Sequence, residues 1–171
     1  MLLSRTKNWL FILCGILVLN ACGFEPIYVT KDRHYIRTEL EHVHIKPIKD
    51  RIGQELRNNL YDVIRPRSVD GQPAWELSIT LTQATQQISL EQTSFSTRAN
   101  LTVRAHYTMT SLHTPPEDPI RGSAKAISSY NIVDSDYANL VAVKDARSRA
   151  VISLSKDIAR QLALDLRNLK Q

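Results

Sequence analysis

Trp75-Glu76-Leu77-Ser78-Ile79-Thr80-Leu81-Thr82 alternates apolar and polar residues at every step. Successive strand side chains point to opposite faces, so Trp75, Leu77, Ile79 and Leu81 share one face, with Glu76, Ser78, Thr80 and Thr82 opposite. This period predicts a half-buried strand. By Ile88 and Leu90 the apolar residues have moved to even positions, which predicts a bulge, or an end and restart, around residues 83–87 of one long bent strand. A second run keeps its phase longer. Phe95, Thr97, Ala99, Leu101, Val103, Ala105, Tyr107 and Met109 hold one face, opposite Ser96, Arg98, Asn100, Thr102, Arg104, His106 and Thr108. Together the two runs predict a long antiparallel hairpin. Thr114-Pro115-Pro116-Glu117-Asp118-Pro119 predicts a loop, because three of its six residues lack the backbone donor that a strand needs. A third strand is expected from Ile120 to Tyr130.

Upstream, Leu40 to Ile48 alternates, with Val43 and Ile45 set against His42 and His44, and fits a short strand before Pro47. From Asp50 the apolar residues Ile52, Leu56, Leu60 and Val63 recur every three or four positions until Pro66, which predicts a helix with Arg51, Glu55, Arg57 and Asn58 on its solvent side. Downstream, Asp134 or Ser135 is a plausible N-cap for a long final helix. Its stripe is Leu140, Val143, Ala146, Ala150, Val151, Leu154, Ile158, Leu162, Leu166 and Leu169, with Lys144, Arg147, Lys156, Arg160 and Arg167 elsewhere on the cylinder. The order β-α-β-β-β-α, with an apolar face on every element, predicts an α+β fold in which two helices pack on one face of a four-stranded mixed sheet.

The N-terminus has a different character. Arg5 and Lys7 precede the apolar run Trp9 to Leu19 and then Leu19-Asn20-Ala21-Cys22, the pattern of a bacterial lipoprotein export signal. The run is about 11 residues where spanning a bilayer takes about 20, so a lipid-anchored chain is expected rather than a spanning one. The expected organisation is a signal peptide over 1–21, a lipidated tether over 22–39 and one domain over 40–171. Cys22 would become the first mature residue and carry lipid. Each buried acyl methylene contributes roughly 0.8 kcal/mol, so several chains together hold the protein on its membrane.

Removing that leader also removes two bases and no acid. The 22 Lys+Arg and 17 Asp+Glu of the whole chain become 20 and 17, a mildly basic domain. Such a balance suits an anionic lipid surface and is too small to argue for nucleic acid. Cys14 lies in the discarded run and Cys22 takes lipid, so the mature domain has no thiol for a disulfide, a metal or a nucleophile.

Catalytic patterns find little support. The chain has neither a Gly-x-Ser-x-Gly elbow nor a His-Glu-x-x-His pair, and with five glycines it has no phosphate-cradling loop. Ser123-Ala124-Lys125 has serine-lysine spacing, but on a strand these residues merely share a face. His42 and His44 likewise share one side of the expected strand, where a metal would need a third or fourth ligand. Neither an enzyme nor a cofactor beyond the covalent lipid is expected. What remains is a surface: Arg98, Arg104 and His106 stand among hydroxyls and amides, with no acid from Thr93 to Ser111. A guanidinium can grip phosphate in bidentate fashion, so a phosphorylated sugar or lipid head group is one reading and a solvated outer face is the other.

The ordered set Cys22-Gly23-Phe24-Glu25-Pro26-Ile27-Tyr28, Asp50-Arg51-Ile52-Gly53-Gln54-Glu55-Leu56-Arg57-Asn58-Asn59-Leu60, Arg98-x-x-Leu101 with Ala105 and Tyr107, Ser128-Ser129-Tyr130-Asn131 and Tyr137-Ala138 resembles the LPS-assembly lipoprotein family, LptE. The resemblance runs over nearly the whole mature chain. It implies two helices on a mixed four-stranded sheet, anchorage on the periplasmic side of a Gram-negative outer membrane, and no catalysis. It also implies a 1:1 complex with the LPS-assembly β-barrel LptD, as a plug that assists the barrel's folding, together with binding of lipopolysaccharide. Gly23 after the cysteine fits outer-membrane sorting, since an aspartate there commonly marks retention in the inner membrane. Carried onto this chain, family positions linked to lipopolysaccharide fall at Arg98 and near Lys144. Arg98 is open between contact with lipid and contact with the barrel wall. The alternative reading is an accessory lipoprotein of another outer-membrane machine, such as barrel assembly or a secretin pilot.

Overall fold

The computed structural model describes residues 33–64, 71–88 and 97–169. Cys22, the leader and the first part of the tether lie outside them, as do Leu90 and Phe95. The described elements are α1 (Arg33–Glu41), β1 (Val43–Ile45), α2 (Asp50–Ile64), β2 (Trp75–Ile88), β3 (Thr97–Ser111), β4 (Ile120–Ile132) and α3 (Asp136–Leu169). The strands form one mixed sheet in the order β1-β2-β3-β4, with β1 parallel to β2 and the other pairs antiparallel. The α+β fold is the one the periodicities predict, and the difference in order is α1. That helix begins inside the segment read as tether, and its Ile36 and Leu40 join the core. Consequently the strand expected from Leu40 to Ile48 shrinks to three residues.

The sheet buries one face. Trp75, Leu77 and Ile79 of β2, the odd-numbered residues of β3 from Ala99 to Met109, and Ala124 and Ala126 of β4 are all buried on it. Helix α3 lies across β3 and β4 and packs against α2. Its 34 residues span roughly 50 Å at 1.5 Å per residue, about the length of the fifteen-residue β3. Ser135 is the N-cap: its hydroxyl faces the Ala138 amide at 3.4 Å and its carbonyl accepts from Asn139 N–H at 3.0 Å. Asp136 and Arg167 stand at the helix ends where their charges suit its dipole.

Three expectations are corrected. The bulge in β2 is absent: β2 and β3 pair without a slip from Trp75↔Ser111 to Ile88↔Arg98. The phase change has another cause, because the core-facing positions past Leu81 are Gln83, Thr85 and Gln87, all exposed. Polar residues are tolerated there, and Ile88 simply falls on the other face. In α2 the last buried position belongs to Ile64 and not Val63. In α3 the ends of the apolar stripe, Leu140 and Leu169, are exposed.

Two local features explain the Asp50–Leu60 motif. Asp50 has φ 66°, in the left-handed region that aspartate tolerates better than most residues. Gly53 sits against Ile48, whose Cγ2 would lie 2.6 Å from a Cβ at that position. On the solvent side of α2, Arg57 and Glu55 are occupied structurally. Arg57 Nε donates to Ile45 O at 3.0 Å, and Glu55 accepts from the Ser148 hydroxyl at 2.6 Å.

A polar contact spans the core where Tyr107 donates its hydroxyl to Gln161 Oε1 at 2.8 Å. Burial first, and then the nearby Asp165 charge, push the Tyr107 phenol up to about 12. Burial also raises the Asp165 carboxyl. An acid whose folded pKa exceeds its unfolded value contributes stability that is complete below the unfolded pKa and is lost as pH rises toward the folded one. Denaturant melts between pH 10 and 12 should therefore show the wild-type protein losing stability more steeply than Tyr107→Phe. Equal slopes would mean the phenol is not held neutral.

Candidate functional site

The second face of the sheet has no helix on it among the described residues. Side chains there come from even positions of β2 and β3 and odd positions of β4, so the register decides which meet. Arg104 lies between Thr82 and Lys125, His106 between Thr80 and Ser123, and Thr108 between Ser78 and Arg121. Arg98 lies near the other end of β3, between Ile88 and Asn131. All four cations are exposed.

Arg104 and Lys125 are like charges set directly opposite, an arrangement that costs stability unless something of opposite sign is shared between them. Among the described residues, no acid pairs with Arg98, Arg104, Arg121 or Lys125. The acid at the far end of this face, Glu76, is paired with Lys46 at 2.7 Å. An open groove of about 410 Å³ runs beside the pair, lined by Thr82, Ala84, Gln86, Asn100, Thr102 and Ile127. Hydroxyls, amides and two exposed cations around such a groove suit an anion with several oxygens.

Lys144 is elsewhere. It is exposed on α3 and lines a cleft of about 360 Å³ with Asp50, Arg51, Glu55, Arg147 and Ser148. That cleft belongs to the helical layer, so the fold brings Arg104 near Lys125 but does not bring Lys144 to the face that carries Arg98. In the same cleft region the Arg147 Nε is buried with no hydrogen-bond partner.

The remaining sequence candidates are placed as follows. Ser123 and Lys125 stand exposed on one face of β4, as the spacing requires. The two histidines do not share a strand face. His42 Nδ1 lies 2.7 Å from Thr38 O in the turn after α1, while His44 is exposed on β1. No cluster of three metal-ligating residues occurs among the described residues, and none of their helices is long and apolar enough to cross a membrane.

Arg121 and Lys125 are the members of the basic face that reading the hairpin alone misses. Their signal is present in the alternation Arg121, Ser123, Lys125 against Gly122, Ala124, Ala126. Placing Lys125 against Arg104 additionally requires the β3–β4 register across an eight-residue connection, which the sequence does not specify.

The architecture of the described residues, a mixed four-stranded sheet with helices on one face only, is shared with proteins from three bacteria. A candidate lipoprotein of Caulobacter crescentus is 19% identical, with a TM-score of 0.61 over 80% of this chain and 98% of that one. The rare lipoprotein B of Shewanella oneidensis is 10% identical, with a TM-score of 0.55 over 75% and 98%. A minor lipoprotein of Acinetobacter baumannii is 12% identical, with a TM-score of 0.54 over 72% and 92%. The fold class is thus one adopted by several bacterial lipoproteins. Within it, residues 40–166 match the LptE lipopolysaccharide-assembly family, and the chain belongs to that family. No curated protein matches the sequence.

Proposed function

We propose that this protein is an outer-membrane lipoprotein, held on the periplasmic side by lipid on Cys22. In a 1:1 complex it plugs an LptD-type β-barrel, assists the barrel's assembly, and takes part in binding lipopolysaccharide and inserting it at the cell surface. Its role is binding and positioning, without a catalytic step and without a cofactor beyond the covalent lipid. Membership of the lipopolysaccharide-assembly family supports the reading, and the observation that carries it to particular residues is the acid-poor open face of the sheet. Arg98 and Arg104 present guanidinium groups there, where phosphate can be held and released in exchange with solvent. Lys144 would act from the separate cleft on the helical side.

Arg98→Asp is the direct test. The charge is reversed at an exposed position with no partner among the described residues, so the variant is expected to fold normally and to bind lipopolysaccharide about tenfold or more weakly, the effect of losing one charge-assisted contact. Unchanged binding by a folded variant would remove Arg98 from the lipid site and leave it as a barrel contact. The partner is tested by solubilising the full-length protein from its native envelope, purifying it, and identifying what accompanies it by mass spectrometry. A large barrel of the LPS-assembly type in about equal amount supports the plug, whereas a different outer-membrane machine would replace it.

A further inference from the structure

The two edges of the sheet are finished differently. Strand β1 is three residues long, and α2 closes its outer side: the Tyr61 hydroxyl accepts from Ile45 N–H at 3.1 Å, and Arg57 holds Ile45 O. Strand β4, on the opposite edge, runs for thirteen residues without a proline. It stays in register with β3 from Ile120 to Ile132, so no bulge turns it aside. Short strands, bulges and prolines are common devices that keep a sheet edge from pairing. None of these three is present on β4; the device that is present is charge, in Arg121 and Lys125, which repels edges of like sign.

One hydrogen bond determines which backbone groups of β4 face outward. Leu112 N–H donates to Ala74 O at 2.8 Å, one step beyond the pair Trp75↔Ser111. In an antiparallel ladder a residue's N–H and C=O point to the same side, and the side alternates along the strand. Even residues of β3 therefore bond to β2 and odd residues bond to β4. By the β3–β4 register, even residues of β4 are used inward, and the amides and carbonyls of Arg121, Ser123, Lys125, Ile127 and Ser129 turn outward. Arg149 Nη2 reaches round from α3 to donate to Ser129 O at 3.0 Å, in agreement with that assignment. Among the described residues it is the only side chain bonded to the outward backbone between Arg121 and Ser129, while Asn139 holds both backbone groups of Val133 just beyond the strand.

The geometry points to β4 as a docking strand that receives an extended acidic segment of the barrel partner as a fifth strand. This rests on the barrel-complex reading and assigns the surface used. Main-chain pairing supplies affinity in such strand addition, and alternate side chains supply selectivity. Here the residues that offer the outward backbone groups also carry Arg121 and Lys125 on the open face. A second copy of the chain, centred antiparallel on this strand, would set Lys125 opposite or diagonal to cations of its counterpart, which is repulsive. An added strand with Asp or Glu at alternate positions meets both cations instead, and small apolar residues between them extend the face of Ala124 and Ala126.

The test uses full-length protein in its native envelope. A photoreactive benzoylphenylalanine is placed at Ser123, at Ile127 and, for comparison, at Thr80 on β2. Separately, Ser123→Pro removes one outward N–H that β3 does not use. The expected result is crosslinking from Ser123 and Ile127 to one acidic segment of the copurifying barrel, with Thr80 reaching a different segment or none. Ser123→Pro should lower the yield of barrel about tenfold while retaining the wild-type circular dichroism. Should that variant not fold, the crosslinks alone decide. A barrel that copurifies without edge crosslinks, or at full yield with folded Ser123→Pro, overturns the docking strand and leaves the barrel reading intact. Crosslinks to a second copy, or to residues of this same chain, overturn it as well. If no barrel accompanies the wild-type protein, both readings fall.

Discussion

Gly122→Ala is expected to destabilise the domain by about 2 to 3 kcal/mol, near the upper end for inserting a single methyl into a packed site. Gly122 pairs with Tyr107 across β3 and β4, and a Cβ there would run into the phenol ring at its hydroxyl and Cζ. The far end of a side chain is normally cheap to move, but this ring is buried at 3% exposure and tied to Gln161. Moving it strands a buried hydroxyl or opens a void beneath α3. A double-mutant cycle isolates the collision. In a Tyr107→Ala background the same Gly122→Ala change should cost close to nothing, since alanine is otherwise a better strand residue than glycine. An equal cost in both backgrounds, measured by urea denaturation, would show that the ring does not confine this position.

Leu154→Ala should have the other large effect, about 3 to 4 kcal/mol, whereas Leu140→Ala should stay within about 0.5 kcal/mol. Both leucines belong to one stripe by sequence, yet Leu154 is 0% exposed and Leu140 is 71% exposed. Truncation at Leu154 leaves a cavity in the core that close-packed neighbours fill only in part. At Leu140 a side chain already in water loses little. Comparable losses at the two positions in thermal melts would mean that the start of α3 is packed against something in the folded protein.

That contrast shows what a period can and cannot convey. Ile52, Leu56 and Leu60 are recognisable as a core face because the spacing and the burial agree along α2 as far as Leu60, and they part only at its end, where Ile64 is buried in place of Val63. In α3 the spacing persists past the end of the cover, and spacing alone carries no information on what lies opposite. Strand β2 is the converse case. Gln83, Thr85 and Gln87 interrupt the apolar pattern without interrupting the ladder, so a change of environment imitates a change of backbone. Helix α1 was hidden because Ile36 and Leu40 are too few apolar points to define a period within a nine-residue helix.

The candidate site is legible to a similar extent. Arg98 and Arg104 stand out as bases on one face of a strand, since a two-residue period assigns that face unambiguously. Their company is a property of pairing. Lys125 stands beside Arg104 only because the β3–β4 register is what it is, and a slip of one residue would have turned it into the core. Lys144 illustrates the limit, because helical spacing places it on a cylinder but not on a side of the sheet.

Strand order in the sheet equals strand order in the chain, β1-β2-β3-β4, and helix α3 follows all four strands. Each strand after β1 therefore finds its neighbour already in place as the chain emerges N-terminus first, and none of the described elements has to thread between earlier ones. The long apolar surface of β2, β3 and β4 must wait uncovered until the 34-residue helix α3 arrives. During that interval the nascent sheet is at its most adhesive, so the period before α3 appears is when a holding chaperone has most to offer this protein.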